Sequence, residues 1–179
     1  MVLMAFVGEL GAGKTLSLTY FAYLNYLRGV KVYSNYHLNF PYIPVTSIED
    51  IEDMKEGFFA GDELWLWMDS RASGSKKNKA ISSILLKSRK RGVQICYTTQ
   101  SFGQIDNRIR NITDFIACPF MSPKEQWCKV LILSRATMNK VKWLKFKTAE
   151  IFPLYDTTEE IKPIEDKNDK PRRRKTKKK

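Results

Sequence analysis

A lysine and a threonine follow a glycine-rich turn near the start of the chain, at a spacing that suits phosphate binding. Residues 8–15 read GELGAGKT and fit G-x-x-x-x-G-K-[ST] at every fixed position. Glycines let the backbone fold tightly enough for consecutive N–H groups to point at one phosphate. We expect Lys14 to reach the β- and γ-phosphates of ATP and the Thr15 hydroxyl to ligate Mg²⁺. The predicted nucleotide-binding residues are Gly8, Gly11, Ala12, Gly13, Lys14, Thr15 and Leu16.

The flanking sequence predicts the strand, loop and helix that this motif requires. Residues 2–7 form a continuous apolar run, which is typical of a buried parallel strand. Apolar residues then recur at roughly helical spacing from Leu16 to Leu27, and Gly29 can end that helix. The helix N-terminus would add partial positive charge beside the phosphates. A plain glycine turn is the alternative, and the complete motif in this context argues against it.

Two adjacent carboxylates follow a second short apolar run. Residues 57–63 read GFFAGDE, the arrangement of a Walker B strand. Because the carboxyl ends of parallel strands share one edge of a sheet, Asp62 and Glu63 are expected beside the phosphate loop. We expect Asp62 to join Thr15 in holding Mg²⁺ and Glu63 to polarise the attacking water. Apolar runs followed by acids are common, so this prediction depends on the complete motif upstream.

Further polar residues are candidates for sensing or stabilising the γ-phosphate. Residues 92–100 predict a buried strand with a polar end, where Gln100 is the first candidate sensor and Thr98 and Thr99 are alternatives. A short predicted helix carries Arg108 and Arg110, and one of these could reach a neighbouring subunit's nucleotide. A surface arginine that contributes little is nearly as plausible. The predicted catalytic residues are Glu63, Gln100, Arg108 and Arg110.

Net charge indicates a polyanionic partner. The chain of 179 residues has 31 Lys and Arg against 19 Asp and Glu, a formal net charge of +12. Residues 157–179 hold 10 basic and 5 acidic residues, a net of +5, which leaves +7 for residues 1–156. Nucleic acid is the first candidate partner and an acidic membrane surface the second. A basic cluster in residues 76–91 suits a phosphate backbone or, equally well, the end of a helix.

The remaining sequence predicts one α/β domain with a mainly parallel central sheet flanked by helices. Strands are expected over residues 30–35 and 113–119, and a β-hairpin over residues 126–134 and 140–147. The domain is expected to span residues 1–156, and residues 157–179 to form a disordered basic tail. No apolar run is long enough to cross a bilayer. We therefore expect a cytoplasmic protein.

With these motifs placed, the chain resembles the FtsK/HerA branch of P-loop ATPases. The resemblance rests on the phosphate loop, on GVKVYSN at residues 29–35, on the Asp62–Glu63 pair and on SRKRGVQICYTTQSFGQIDNRIRN at residues 88–111. Within that branch it is similar to Zot-like proteins and to small genome-packaging ATPases of archaeal and membrane-containing viruses. The resemblance implies a RecA-like fold and a homo-oligomeric ring, commonly a hexamer, that moves double-stranded DNA at the expense of ATP. A capsid, portal or virion membrane component would then be a further partner.

Other functions remain open on the sequence alone. Zot-like assembly proteins usually carry a transmembrane segment, which this sequence lacks, so we expect a packaging motor rather than an assembly or secretion ATPase. A small-molecule kinase shares the phosphate loop but does not explain the basic tail or the Asp-Glu pair. A protein in which nucleotide only switches nucleic-acid binding is a further alternative, and it would hydrolyse ATP slowly with or without DNA.

Overall fold

Eight strands form one sheet in the structure, a computed structural model that describes residues 2–67, 81, 83, 85–87, 89–121, 124 and 126–164. The strands are β1 (Leu3–Val7), β2 (Val32–Ser34), β3 (Ile43–Pro44), β4 (Gly57–Gly61), β5 (Val93–Thr99), β6 (Phe115–Met121), β7 (Trp127–Ser134) and β8 (Lys140–Lys147). Their order across the sheet is β3-β2-β4-β5-β1-β6-β7-β8. The described α-helices with defined bounds are α1 (Lys14–Leu27), α2 (Ile48–Asp53) and α3 (Asn107–Ile112).

Six of these strands run parallel, as the sequence predicts. Strand β1 lies between β5 and β6 and pairs in parallel with both. Every residue of β4 is buried, which suits a strand covered on both faces. The predicted β-hairpin is confirmed, because β7 pairs antiparallel with β6 and with β8 and so extends the sheet at one edge.

Helices cover the two faces of the sheet and form two apolar clusters. On one face, Leu16, Leu18 and Ala22 of α1 pack against apolar residues of β1, β4, β6 and β7. On the other face, Ile51 of α2 and Ile109 of α3 pack against side chains from β1, β4 and β5. This arrangement confirms the predicted α/β sheet flanked by helices, and it leaves the carboxyl edge of the parallel strands open to carry a site.

Local sequence signals explain where the shorter helices begin. The Ser47 side chain accepts from the Asp50 backbone N–H, and the Asp50 carboxylate accepts from the Ser47 N–H, which completes a capping box at the start of α2. Within the basic cluster of residues 76–91, the described residues 81, 83 and 85–87 are helical. A 3-10 turn then covers Arg89–Arg91. The basic loop of residues 72–79 lies outside the described residues.

The chain after β8 returns to the carboxyl edge of the sheet. Tyr155 belongs to the apolar cluster on the α1 face, whereas Ile164, which is 3% exposed, belongs to the cluster on the opposite face. Residues 155–164, here called the crossing segment, therefore pass over the edge between the two faces. The Trp67 indole N–H donates to the Lys162 carbonyl at 3.1 Å. Within residues 157–164, Ile164 is buried and Ile161 is half-buried, whereas the others are exposed. Residues 165–179 lie outside the described residues.

Candidate functional site

The glycine-rich loop joins β1 directly to α1, as its sequence predicts. Gly13 adopts φ +92° just before α1 begins, a left-handed conformation that suits glycine. A side chain at Gly13 would also come within 3.4 Å of the Cys128 sulfur of β7. A side chain at Gly8 would lie 3.2 Å from the Ala12 Cβ. The left-handed backbone therefore explains the glycine at position 13, and the close approach of Ala12 favours glycine at position 8.

Lys14 begins α1 and lies over the loop that precedes it. Its ammonium group donates to the Glu9 carbonyl at 2.8 Å. Partial burial lowers the pKa of Lys14, and attraction to Asp62 and Glu63 opposes this effect. The lysine is therefore placed within electrostatic reach of both predicted carboxylates, as a phosphate-binding lysine in such a site would be.

Thr15 and Asp62 come together from opposite sides of the site. The Thr15 hydroxyl donates to the two Asp62 carboxylate oxygens at 3.1 and 3.2 Å. Asp62 is only 7% exposed. Burial raises the pKa of Asp62, and hydrogen bonds from Thr98 and Thr15 oppose that rise. An ionised carboxylate here therefore carries a desolvation cost that a bound cation would relieve.

This pair of oxygen donors fits a magnesium ion. Mg²⁺ prefers oxygen ligands at about 2.0–2.1 Å in octahedral geometry, which separates adjacent ligands by about 2.9 Å. The Thr15 and Asp62 oxygens are 3.1–3.2 Å apart, close to that separation. Both are hard oxygen donors, and substrate phosphates and water ordinarily complete such a site.

Two polar side chains from neighbouring strands hold the turn after β4. The Asn35 amide, at the end of β2, donates to the Asp62 carbonyl at 2.8 Å, and the Asn35 oxygen accepts from the Asp62 N–H at 2.7 Å. From β5, the Thr98 hydroxyl accepts from the Glu63 N–H at 2.8 Å and donates to an Asp62 carboxylate oxygen. Glu63 itself adopts φ +45°, an uncommon conformation for a non-glycine residue. Asn35 and Thr98 therefore fix the backbone from which the Glu63 side chain projects.

Asn35 is a site residue that the sequence analysis did not single out. The signal was present, because a polar residue ends the strand that pairs with β4. Its role depends on strand order, however, and the sequence alone does not give the order. Thr98 was an alternative to Gln100, and it is the residue of this strand that contacts both Asp62 and the Glu63 backbone.

A cleft of about 420 Å³ opens beside Thr15, Asp62 and Glu63. The crossing segment forms its other wall and contributes Glu159 and Glu160. The Glu159 carboxylate accepts from the His37 backbone N–H at 2.6 Å, which ties this segment to the loop after β2. Thr15, which follows the glycine-rich loop, thus lines one side of the cleft, and acidic residues of the crossing segment line the other.

Two tyrosines close the buried side of the same cleft. The hydroxyl groups of Tyr36 and Thr19 lie within hydrogen-bonding distance at 3.0 Å. Burial raises the pKa of Tyr155 to about 12, and the negative charge of Asp62 adds to the rise. Burial raises the pKa of Tyr36 in the same way. Both rings therefore remain neutral hydroxyl donors next to Asp62 at ordinary pH.

The remaining predicted residues lie outside this cleft in the described part of the chain. Gln100 directly follows β5 and is exposed, and it does not line the cleft. Arg108 makes an ion pair with Asp106, with nitrogen–oxygen distances of 2.9 and 2.6 Å. The Arg110 Nε is buried, and the described residues offer it no hydrogen-bond partner. A sensing role for Gln100 and a role in trans for either arginine stay predictions.

The sheet order and this loop, with Lys14, Thr15 and Asp62 at the carboxyl edge, define a RecA-like P-loop NTPase fold. A profile of the zonular occludens toxin (Zot) family matches residues 30–162. The chain therefore belongs to the Zot family. A viral relative, "Uncharacterized protein ORF2" of Spiroplasma virus SpV1-R8A2 B, is 27% identical over 132 residues, which cover 68% of this chain and 39% of the relative. The chain thus spans about two fifths of that relative's length.

Solved structures show the same fold at low sequence identity. The N-terminal domain of zonular occludens toxin from Neisseria meningitidis superposes with a TM-score of 0.63 at 18% identity, over 87% of this chain and all (100%) of that domain. The genome-packaging NTPase B204 of Sulfolobus turreted icosahedral virus 2, in complex with ATP-gammaS, gives a TM-score of 0.59 at 13% identity, over 79% of this chain and 95% of B204. These likenesses show that the chain shares the fold of both proteins. Among the described residues, no helix is long and apolar enough to cross a membrane.

Proposed function

We propose that this protein is a Mg²⁺-dependent ATPase that moves DNA, acting as an oligomeric ring in the packaging of a phage or viral genome. The observation that carries the enzymatic part is the contact between Thr15 and Asp62 at 3.1–3.2 Å beside the glycine-rich loop. Such a pair places two magnesium ligands next to the lysine that binds phosphate.

In this proposal the residues of the cleft have separate roles. The loop from Gly8 to Leu16 binds the phosphates, and Lys14 neutralises charge on the β- and γ-phosphates. Thr15 and Asp62 hold Mg²⁺, which neutralises charge on the phosphate oxygens when bound. Glu63 orients and polarises the attacking water from the turn that Asn35 and Thr98 hold in place. Arg108 or Arg110 of an adjacent subunit would complete the site.

The proposal that DNA is the substrate rests on charge and on the viral relatives. The net charge of +12 favours a polyanion. B204, which shares the fold, is named as a genome-packaging NTPase. The basic residues beyond residue 164 would add contacts that do not depend on DNA sequence.

A second candidate is a Zot-like ATPase that drives phage assembly or secretion. The family match over residues 30–162 favours it. Both candidates use the same ATPase site, and they differ in whether ATP turnover moves DNA relative to the protein.

A displacement assay separates these candidates. Streptavidin bound to the end of a biotinylated DNA would be displaced by a translocase, and the release rate would depend on ATP. We expect release with the wild-type protein and none with Glu63→Gln, which should retain nucleotide binding. ATP hydrolysis without release, on both duplex and single-stranded DNA, would favour the assembly or secretion ATPase.

A further inference from the structure

One face of the antiparallel edge of the sheet combines aromatic rings with lysines. Residues directly opposite each other in an antiparallel pair project to the same face. The pairs Trp127–Lys147 and Lys129–Lys145 link β7 to β8 in this way, and Phe120 of β6 lies opposite Lys129. The residues of this lysine–aromatic face are Phe120, Trp127, Lys129, Trp143, Lys145 and Lys147.

The aromatic rings of this face are exposed and adjacent. Phe120 is 53% exposed and Trp143 is 50% exposed. Their ring centroids are 6.2 Å apart, so they meet across β7. The opposite side of the same strands is buried against α1, where Cys128, Val130 and Phe146 belong to the apolar cluster. The core therefore does not require the rings of the lysine–aromatic face.

The charged side chains of β6, β7 and β8 are all positive. Strands β6, β7 and β8 carry five lysines and no acidic residue. The Lys145 ammonium lies 4.3 Å from the centroid of the Trp127 ring, and the Lys147 ammonium lies 5.8 Å from it. Lysines on an edge strand also discourage unwanted strand pairing. That role does not account for Lys129, which lies on the interior strand β7, or for exposed rings beside it.

We propose that the lysine–aromatic face binds single-stranded nucleic acid. Exposed aromatic rings offer flat surfaces on which unpaired bases stack, and lysines between them neutralise the phosphates. A duplex keeps its bases stacked on one another, so it would use the lysines but not the rings. An isologous contact with a second copy would bring lysines against lysines, which the charge disfavours.

This inference rests on the proposed function, because it takes DNA as the substrate. It concerns a different surface from the cleft that Thr15, Asp62 and Glu63 line. It is tested by binding alone, without nucleotide or Mg²⁺, so that turnover does not enter the result. The full chain is titrated into a fluorescent oligothymidylate, and into a duplex of the same length, with fluorescence anisotropy as the readout at several salt concentrations.

The test variants are Trp143→Ala and Phe120→Ala, each of which removes one stacking surface. We expect each to weaken oligothymidylate binding by about 5-fold to 100-fold, the range measured for loss of one stacked base. Duplex binding should change by less than about twofold. Lys145→Ala should reduce the slope of log affinity against log salt by about 0.7.

Matched controls lie at the opposite edge of the sheet. Ile43→Ala removes an apolar side chain that is 45% exposed on β3, and Lys31→Ala removes an exposed lysine before β2. Both should leave oligothymidylate affinity within about twofold of the wild type. Trp143→Leu, which keeps apolar bulk without a flat ring, replaces Trp143→Ala if thermal melting shows that the alanine variant does not fold.

The outcomes separate this inference from its alternatives. Unchanged oligothymidylate affinity in folded Trp143 and Phe120 variants would overturn it. So would an equal loss of duplex and single-strand affinity, or a change of oligomeric state by light scattering with DNA affinity intact. Wild-type protein that binds oligothymidylate through this face but hydrolyses no ATP would refute the proposed function and leave this inference standing.

Discussion

Replacing Asn35 with alanine tests whether its side-chain hydrogen bonds stabilise the turn after β4. The Asn35 amide forms two hydrogen bonds with the Asp62 backbone, at 2.7 and 2.8 Å, and the substitution removes both partners. Each buried backbone group left without a partner costs about 1–3 kcal/mol, so two such groups cost about 2–6 kcal/mol. Because both hydrogen bonds are only partly buried, we expect the lower end, a loss of about 2–3 kcal/mol in the free energy of unfolding. For a chain of this size that corresponds to a fall in Tm of about 4–12 °C.

The same substitution should affect catalysis more than nucleotide binding. The side-chain hydrogen bonds of Asn35 within the described part of the chain go to Asp62 and not to the glycine-rich loop, so affinity for ATP should change by less than about tenfold. The Glu63 backbone follows Asp62 directly, and a misplacement of its carboxylate by about 1 Å lowers turnover on the order of 100-fold. Differential scanning calorimetry, equilibrium nucleotide binding and steady-state turnover measure the three effects separately.

Asn39→Ala is the matched control for this experiment. The Asn39 amide also donates to a backbone carbonyl, that of Pro153, at 2.7 Å, but it is exposed and away from the cleft. We expect a loss of about 1 kcal/mol or less and normal turnover. The reasoning is refuted if Asn35→Ala behaves like Asn39→Ala, or if its turnover falls only in proportion to ATP affinity.

Three further predictions concern the cleft and the basic tail. Glu63→Gln should bind ATP normally and hydrolyse it on the order of 100-fold more slowly, and normal turnover would remove Glu63 as the group that polarises water. Because burial raises the pKa of Asp62, its ionised form destabilises the nucleotide-free protein at neutral pH, and this penalty fades as pH falls through the raised pKa. Asp62→Asn should therefore raise Tm at neutral pH, with a gain that shrinks in acid, and a gain independent of pH would contradict this explanation. Deleting residues 171–179 should weaken DNA binding and reduce its salt dependence, whereas unchanged affinity at low salt would assign the tail another role.

The sequence predicts the parts of the site that are formed by residues contiguous in the chain. The phosphate loop, with its strand before and helix after, is set by contiguous residues, and the structure places Gly13, Lys14 and Thr15 accordingly. Asp62 and Glu63 directly follow β4, which the apolar run predicts. The β7–β8 hairpin is also local, because alternating apolar residues mark both of its strands.

The parts that depend on strand order or on distant packing could not be predicted. Asn35 reaches Asp62 because β2 pairs with β4, although the two residues are far apart in the sequence. Gln100 and Thr98 are both candidates on the sequence, and it is the Thr98 hydroxyl that donates to Asp62. The burial of Ile164 within a mostly polar segment is likewise a matter of distant packing that composition does not indicate.

The most direct test of the proposed function is the steady-state rate of ATP hydrolysis with and without DNA, at low and moderate salt. We expect ATP hydrolysis that requires Mg²⁺ and that is faster with DNA. The stimulation by DNA should decrease as salt screens the basic surface. ATP hydrolysis that is indifferent to DNA at every salt concentration would contradict the proposed coupling of turnover to DNA movement.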